Sequence, residues 1–223
     1  MSAVLGDILP LAIGVAISPI PIIAAILMLL SPKAKGTSVG FLLGWIVGIV
    51  VAVTLFTLLS SVMPESDSDA ANPTKGVIQL LLGAALLFLA LKQWRSRPAP
   101  GEEAELPAWM SAIDGMTAGK AIGLGFLLAA VNPKNLLMGV AAGLVIGDAA
   151  LDAGETALAI LIFTLLAACT VAIPVIAYLV AAKRMAAPLE SLRAWLVHNN
   201  ATVMAVLLLV IGVVIIGKGI ANF

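Results

Sequence analysis

The sequence predicts an all-α membrane protein of six transmembrane helices, set as two inverted three-helix halves, with helices 1 and 4 broken and both termini extracytoplasmic. Three observations point there: a composition too apolar for water, six apolar runs of spanning length, and proline breaks at matching positions of the first and fourth runs. Of 223 residues, 62% are hydrophobic and 11% charged, with a mean hydropathy of +1.16. Soluble domains carry about 45–50% apolar and about 25% charged residues. One soluble core of this size cannot hide the excess, so lipid is the expected solvent.

A spanning helix needs roughly 20 mainly apolar residues. Residues 4–30, 38–63, 76–94, 120–146, 155–181 and 200–221 qualify. Helices are expected because each segment must satisfy its own backbone hydrogen bonds in lipid, and the runs are too long for barrel strands. Residues 1–7 lack the basic segment of a secretory signal, and the apolar run continues past signal length, so it reads as the start of helix 1. The halves comprise residues 1–95 and 120–223, joined by a cytoplasmic linker at 96–119.

Loops between six spans alternate sides. Lys33, Lys35, Lys92, Arg95, Arg97, Lys120, Lys183, Arg184 and Arg193 fall on one side, and only Lys75 and Lys218 on the other. Basic residues concentrate on the cytoplasmic face, which puts both termini outside. The outer loops carry Glu65, Asp67, Asp69, Asp148, Asp152 and Glu155. They read as solvated loops, since no calcium-ligand spacing is present. The linker opens with Pro98, Pro100 and Gly101, then carries Leu106, Trp109, Met110 and Ile113 on one face; a similar piece at 184–198 carries Leu189, Leu192 and Leu196. Both are predicted to lie on the inner leaflet, with Trp94, Trp109 and Trp195 as headgroup anchors.

The first run contains Ser18-Pro19-Ile20-Pro21 and the fourth Asn132-Pro133-Lys134-Asn135. Proline removes a backbone donor and clashes with the preceding turn, so each motif predicts a break. Paired breaks in inverted halves are a pattern of transporter binding sites, where half-helix ends offer dipoles and backbone groups to a substrate. Lys134 is the most informative residue. A lysine near mid-membrane costs roughly 2.5–3.5 kcal/mol on insertion scales. It is either a binding or proton-coupling group, with Asn132 and Asn135 beside it, or half of an internal ion pair. No acid is expected at its depth, which favours an external anion. Ser18 is expected to face the Asn-Pro-Lys-Asn turn.

Gly40, Gly44 and Gly48 stripe the second run, and Gly139 and Gly143 the fourth. Such stripes allow close helix packing, within the chain or in a dimer; lining a substrate path is the alternative. Pro174 is expected to kink the fifth run, and Cys169 to pack. One cysteine and one histidine leave no disulfide, redox pair or cysteine- or histidine-based metal site, and no cofactor or nucleic acid is implied.

On these motifs the chain resembles the glycolipid-addressing (GAP, or sulfolipid-addressing) family of the lysine-exporter (LysE) superfamily. The residues that carry the resemblance are Trp109-Met110, Ile113-Asp114, Lys120-Ala121, Gly123-Leu124-Gly125 and Asn132 to Leu136, with Ser18 to Ile22, Ser31-Pro32-Lys33-Ala34, Gly40, Gly44 and Trp45 in the first half. It implies export or relocation of a lipid or glycolipid across an actinobacterial plasma membrane. It also implies work beside a large proton-driven lipid exporter, and superfamily relatives are often dimers. A distant set of similar architecture moves reducing equivalents through a cysteine beside the broken-helix prolines; Ser18 and Ile20 stand there, which excludes that chemistry.

The leading expectation is a transporter or flippase for an anionic lipid, with Lys134 on its headgroup. The alternatives are a small cation or amino-acid exporter, which would want acids in its cavity, and a non-transporting scaffold for a larger exporter. A hydrolytic enzyme ranks last, because no base for Ser18 is visible in the sequence.

Overall fold

The computed structural model describes residues 1–61, 73–97 and 108–223. Among these, all regular structure is helical: α1 (Ser2–Ala16), α2 (Pro19–Leu30), α3 (Ala34–Ser61), α4 (Pro73–Arg95), a short 3-10 helix (Ala108–Gly115), α5 (Ala118–Ala130), α6 (Pro133–Gly147) and α7 (Ala153–Ile220). Helices α3, α4 and α7 are each long and apolar enough to cross a membrane. The pairs α1–α2, bent by 50°, and α5–α6, bent by 61°, qualify as broken spans. The outer acids Glu65, Asp67 and Asp69 and the linker residues 98–107 lie outside the described residues.

Both predicted breaks are present, and proline sets them. Pro19 and Pro133 take the first position of α2 and α6, where a missing N–H costs nothing. The same ring disfavours a continuous helix, and α1 and α5 stop at Ala16 and Ala130, just before it.

Helix α7 joins what the sequence reads as the fifth and sixth runs. A straight helix of 68 residues would extend ~100 Å, against roughly 30 Å of hydrocarbon. Ala181, at φ −142 and ψ 51, interrupts it. Two contacts show that the chain turns back there. Thr170 hydrogen-bonds Ala16 and Lys218 pairs with Asp7, although Thr170 and Lys218 would stand roughly 70 Å apart on a straight helix. Both partners lie on α1, which has only 15 residues. Helix α7 therefore folds back on itself beyond Ala181, with a first arm that ends at residue 180 and a second arm that closes at Ile220. Residues 184–198, read from sequence as a separate interfacial piece, keep helical backbone and run directly into the second arm, and Pro174 leaves the first arm without a non-helical residue.

The helices share one apolar core that includes Phe41, Trp45, Met138 and Phe163, all fully buried. Leu81, Phe88, Leu165, Ile173 and Val180 point outward instead. An apolar exterior this broad is suited to lipid and not to water. In the short 3-10 helix, Met110 and Ile113 are buried against the protein, where the helix contacts α2; the sequence reads that side as meeting the leaflet. Trp94 and Trp195 remain exposed, and the Arg97 guanidinium covers the Trp94 ring at 3.2 Å.

The glycine stripes meet other helices of the same chain. A Cβ on Gly40 would stand 2.7 Å from the Ala118 carbonyl, and one on Gly48 2.6 Å from the Ala129 Cβ. Gly44 in α3 is packed against the Ile122 backbone of α5, and Gly125 in α5 against the Phe41 carbonyl of α3, more tightly still. Across the α3–α6 crossing, a Cβ on Gly143 would stand 2.8 Å from the Thr57 nitrogen, whereas Gly139 leaves ordinary contact distance to Ala52.

Candidate functional site

The two breaks meet. Ser18 is the N-cap of α2, and Lys134 and Asn135 occupy the first turn of α6. Each of the three is 3% exposed. Lys134 Nζ donates to Ser18 Oγ at 2.6 Å. Ser18 Oγ donates in turn to Asn135 Oδ1 at 3.0 Å. Asn135 Nδ2 then donates to the Leu128 carbonyl at 2.8 Å. The network thus runs from a buried amine to a carbonyl in the last turn of α5, which the break has deprived of its helical donor.

The other predicted residues divide by role. The Asn132 side chain accepts from the Lys134 backbone N–H at 3.1 Å, so it caps α6 and does not join the network. Pro19 and Pro21 are buried within the first turn of α2, where backbone donors have no helical partner. They define the break without taking part in its hydrogen bonds. Pro133 is exposed on the far side of its turn. Gly40, Gly44, Gly48 and Gly143 sit at close contacts between helices, and Gly139 at an ordinary one.

Two participants carry weak or no sequence signal. Thr170 Oγ1 donates to the carbonyl of Ala16, the last residue of α1. It does for the first break what Asn135 does for the second. Its only trace in the sequence is a hydroxyl in an apolar helix. Met204 places its sulfur 4.0 Å from Lys134 Nζ, and a methionine in an apolar run gives no warning of that.

A lysine ammonium has three donors and no acceptor. Here one oxygen, Ser18 Oγ, and one thioether are the neighbours within reach. Among the described residues no carboxylate pairs with it, so the internal ion pair raised by the sequence is not formed there. The N-terminal ends of α2 and α6 converge on the same point and add partial positive charge. The centre can therefore receive an anionic oxygen. Among the described residues, no group of three His, Cys, Asp or Glu side chains is arranged to hold a metal ion.

A family model described as Sap, sulfolipid-1-addressing protein, matches residues 8–221, a stretch that contains both breaks. Searches of curated proteins and of solved structures gave no match.

Proposed function

The chain belongs to the sulfolipid-1-addressing protein family, and from that premise we propose that it is a bacterial plasma-membrane transporter or flippase that exports or relocates an anionic lipid or glycolipid. The observation that carries this reading is the buried Lys134 amine, whose three donors meet one oxygen, Ser18 Oγ, and one thioether, Met204. A sulfate, phosphate or carboxylate headgroup supplies the missing acceptor. Ser18 and Asn135 orient the amine, and the break lets the headgroup reach mid-membrane without a polar backbone facing lipid.

The reading includes six spans: α1–α2, α3, α4, α5–α6 and the two arms of α7. Pairing of Asp7 with Lys218 and of Gln79 with Asn222 supports both termini lying at one end, the outer one by the distribution of basic residues. Inverted halves are supported by a reciprocal contact: Gly83 meets Gly212 as Gly76 meets Gly219. The two glycines of α4 have the same spacing as the two of α7, and the contacts exchange when one pair is laid on the other. Kinship with the LysE superfamily, a homodimer and cooperation with a large lipid exporter belong to the same proposal.

The test is lipid movement in proteoliposomes with a fluorescent anionic lipid. Lys134→Ala should abolish movement while the purified protein keeps its elution profile and thermal midpoint. Normal movement by a folded Lys134→Ala protein overturns the assignment.

One observation favours a second reading. Ser18 Oγ and Lys134 Nζ stand at the distance of a serine–lysine catalytic pair, a base for Ser18 that the sequence did not reveal. Two features weigh against hydrolysis. The Ser18 hydroxyl is committed to Asn135, and Pro19 and Pro21 remove two backbone donors where an oxyanion would need them. Covalent labelling of Ser18 by a fluorophosphonate would establish the enzymatic reading; the transporter reading expects none.

A further inference from the structure

A second site lies outward of the polar centre, along the same helices. A pocket of about 430 Å³, counted out to its mouth, opens between α1, α4, α6 and the second arm of α7. Its walls are apolar, with Leu11, Leu82, Leu144 and Ile215 among them, while Asp7, Lys218 and Gln79 are its polar members.

The polar members form a rim. Lys218 Nζ donates to Asp7 Oδ1 at 2.6 Å, with both side chains partly exposed. Gln79 Oε1 accepts from Asn222 Nδ2 at 3.0 Å. Pro10, which lines the pocket, removes the donor that would pair the Gly6 carbonyl. Ala141, Leu144 and Val145 follow Lys134 on α6 at a rise of roughly 10–16 Å. Between the two sites sit Met138 and Ile211, both packed on Gly14, where an added Cβ would be 3.2 Å from the methionine sulfur.

We propose that this pocket holds one acyl chain of an anionic lipid whose headgroup rests on Lys218 at the rim. The shape excludes a bulky polar headgroup from the interior, since nothing polar lies below the rim to receive it. A flexible apolar chain meets no such cost. Asp7 accepts one of the three Lys218 donors, which leaves others for an anion. The proposal rests on the lipid reading above and extends it with a chain site separate from the Lys134 headgroup site.

The test uses the full chain in nanodiscs with phosphatidylglycerol carrying a diazirine in one acyl chain, followed by photolysis and peptide mapping. Adducts on Leu82, Leu144 and Ile215, which line the pocket, are expected alongside those on lipid-facing Leu165. Ala141→Phe, which fills the pocket, should remove the first set and keep the Leu165 adduct, which reports correct insertion. If Ala141→Phe does not fold, Leu82→Trp fills the pocket from the opposite wall. Lys218→Ala should lower pocket labelling by phosphatidylglycerol, and a phosphatidylcholine probe should label the pocket less than phosphatidylglycerol does. Adducts confined to lipid-facing residues, or unchanged by both filling variants, overturn the chain site. Equal labelling by the two lipids overturns the headgroup contact at Lys218. Loss of transport in Lys134→Ala without pocket adducts removes the chain site alone; pocket adducts with normal transport by that variant remove the Lys134 assignment alone.

Discussion

Lys134 and Asn135 are adjacent in sequence and opposite in what their removal should do. Asn135 satisfies two buried groups, the Ser18 hydroxyl and the Leu128 carbonyl. Asn135→Leu strands both, at about 1–3 kcal/mol for each buried polar group left unpaired. A clear fall in the thermal midpoint of the purified protein is the expected result. Lys134→Met removes a buried amine and keeps an unbranched chain of similar length, so the midpoint should hold or rise while lipid movement is lost. Loss of stability in both variants would mean that Lys134 is structural. Ala150 offers a contrasting case. It is the only described non-glycine residue at positive φ, at 45°, where an L side chain costs roughly 1–2 kcal/mol. Ala150→Gly should raise the midpoint and leave transport unchanged.

At the scale of elements, the closest packing is the crossing of α3 and α5, and it separates two kinds of glycine. Gly44 faces the backbone at Ile122, whereas Gly123, on the same α5, has nothing within 4 Å of a built Cβ. Gly44→Leu must drive the helices apart, and misfolding or loss of membrane insertion is expected. Gly123→Ala should stabilise by up to about 1 kcal/mol through helix propensity. Thermal midpoints of the two variants check the contrast, and equal effects would refute the packing role. Gly40, Gly44 and Gly48 were legible as a stripe because four-residue spacing puts them on one face; which helix they met was not, because spacing carries no partner. The breaks were legible for a covalent reason, since proline has no N–H in any environment. The turn of α7 was less so. Loss of apolar character near Lys183 located its end, yet Ala181, where the backbone departs from helix, has no side-chain signature, and Pro174 and Pro188 stay inside helical backbone. Thr170 and Met204 reach the site only through tertiary contact, and no local pattern in the chain encodes that.

At the scale of the molecule, the remaining question is which end of the bundle faces out. Asp7, Gln79, Lys218 and Asn222 come together at one end, so the starts of α1 and α4 and the close of α7 share a side. In the topology proposed above, the uneven placement of lysine and arginine assigns that side to the outside. The chain supplies its own means of testing this, because Cys169 is its only cysteine and Cys169→Ser gives a background without thiols. Ala150 and Phe223 are exposed at the end assigned to the outside, and Lys33 and Ser96 at the other. Single cysteines at Ala150 and Phe223 should react in intact cells with a maleimide that cannot cross the membrane. Cysteines at Lys33 and Ser96 should react only after permeabilisation. A uniformly reversed pattern would invert the orientation and place the acyl-chain pocket in the inner leaflet. Disagreement within either pair would break the count of six spans, because an odd number of crossings is the simplest way to part residues that six crossings keep together. The expected pattern would set the polar centre below an outward-opening chain site, the order a lipid leaving the cytoplasmic leaflet would meet them.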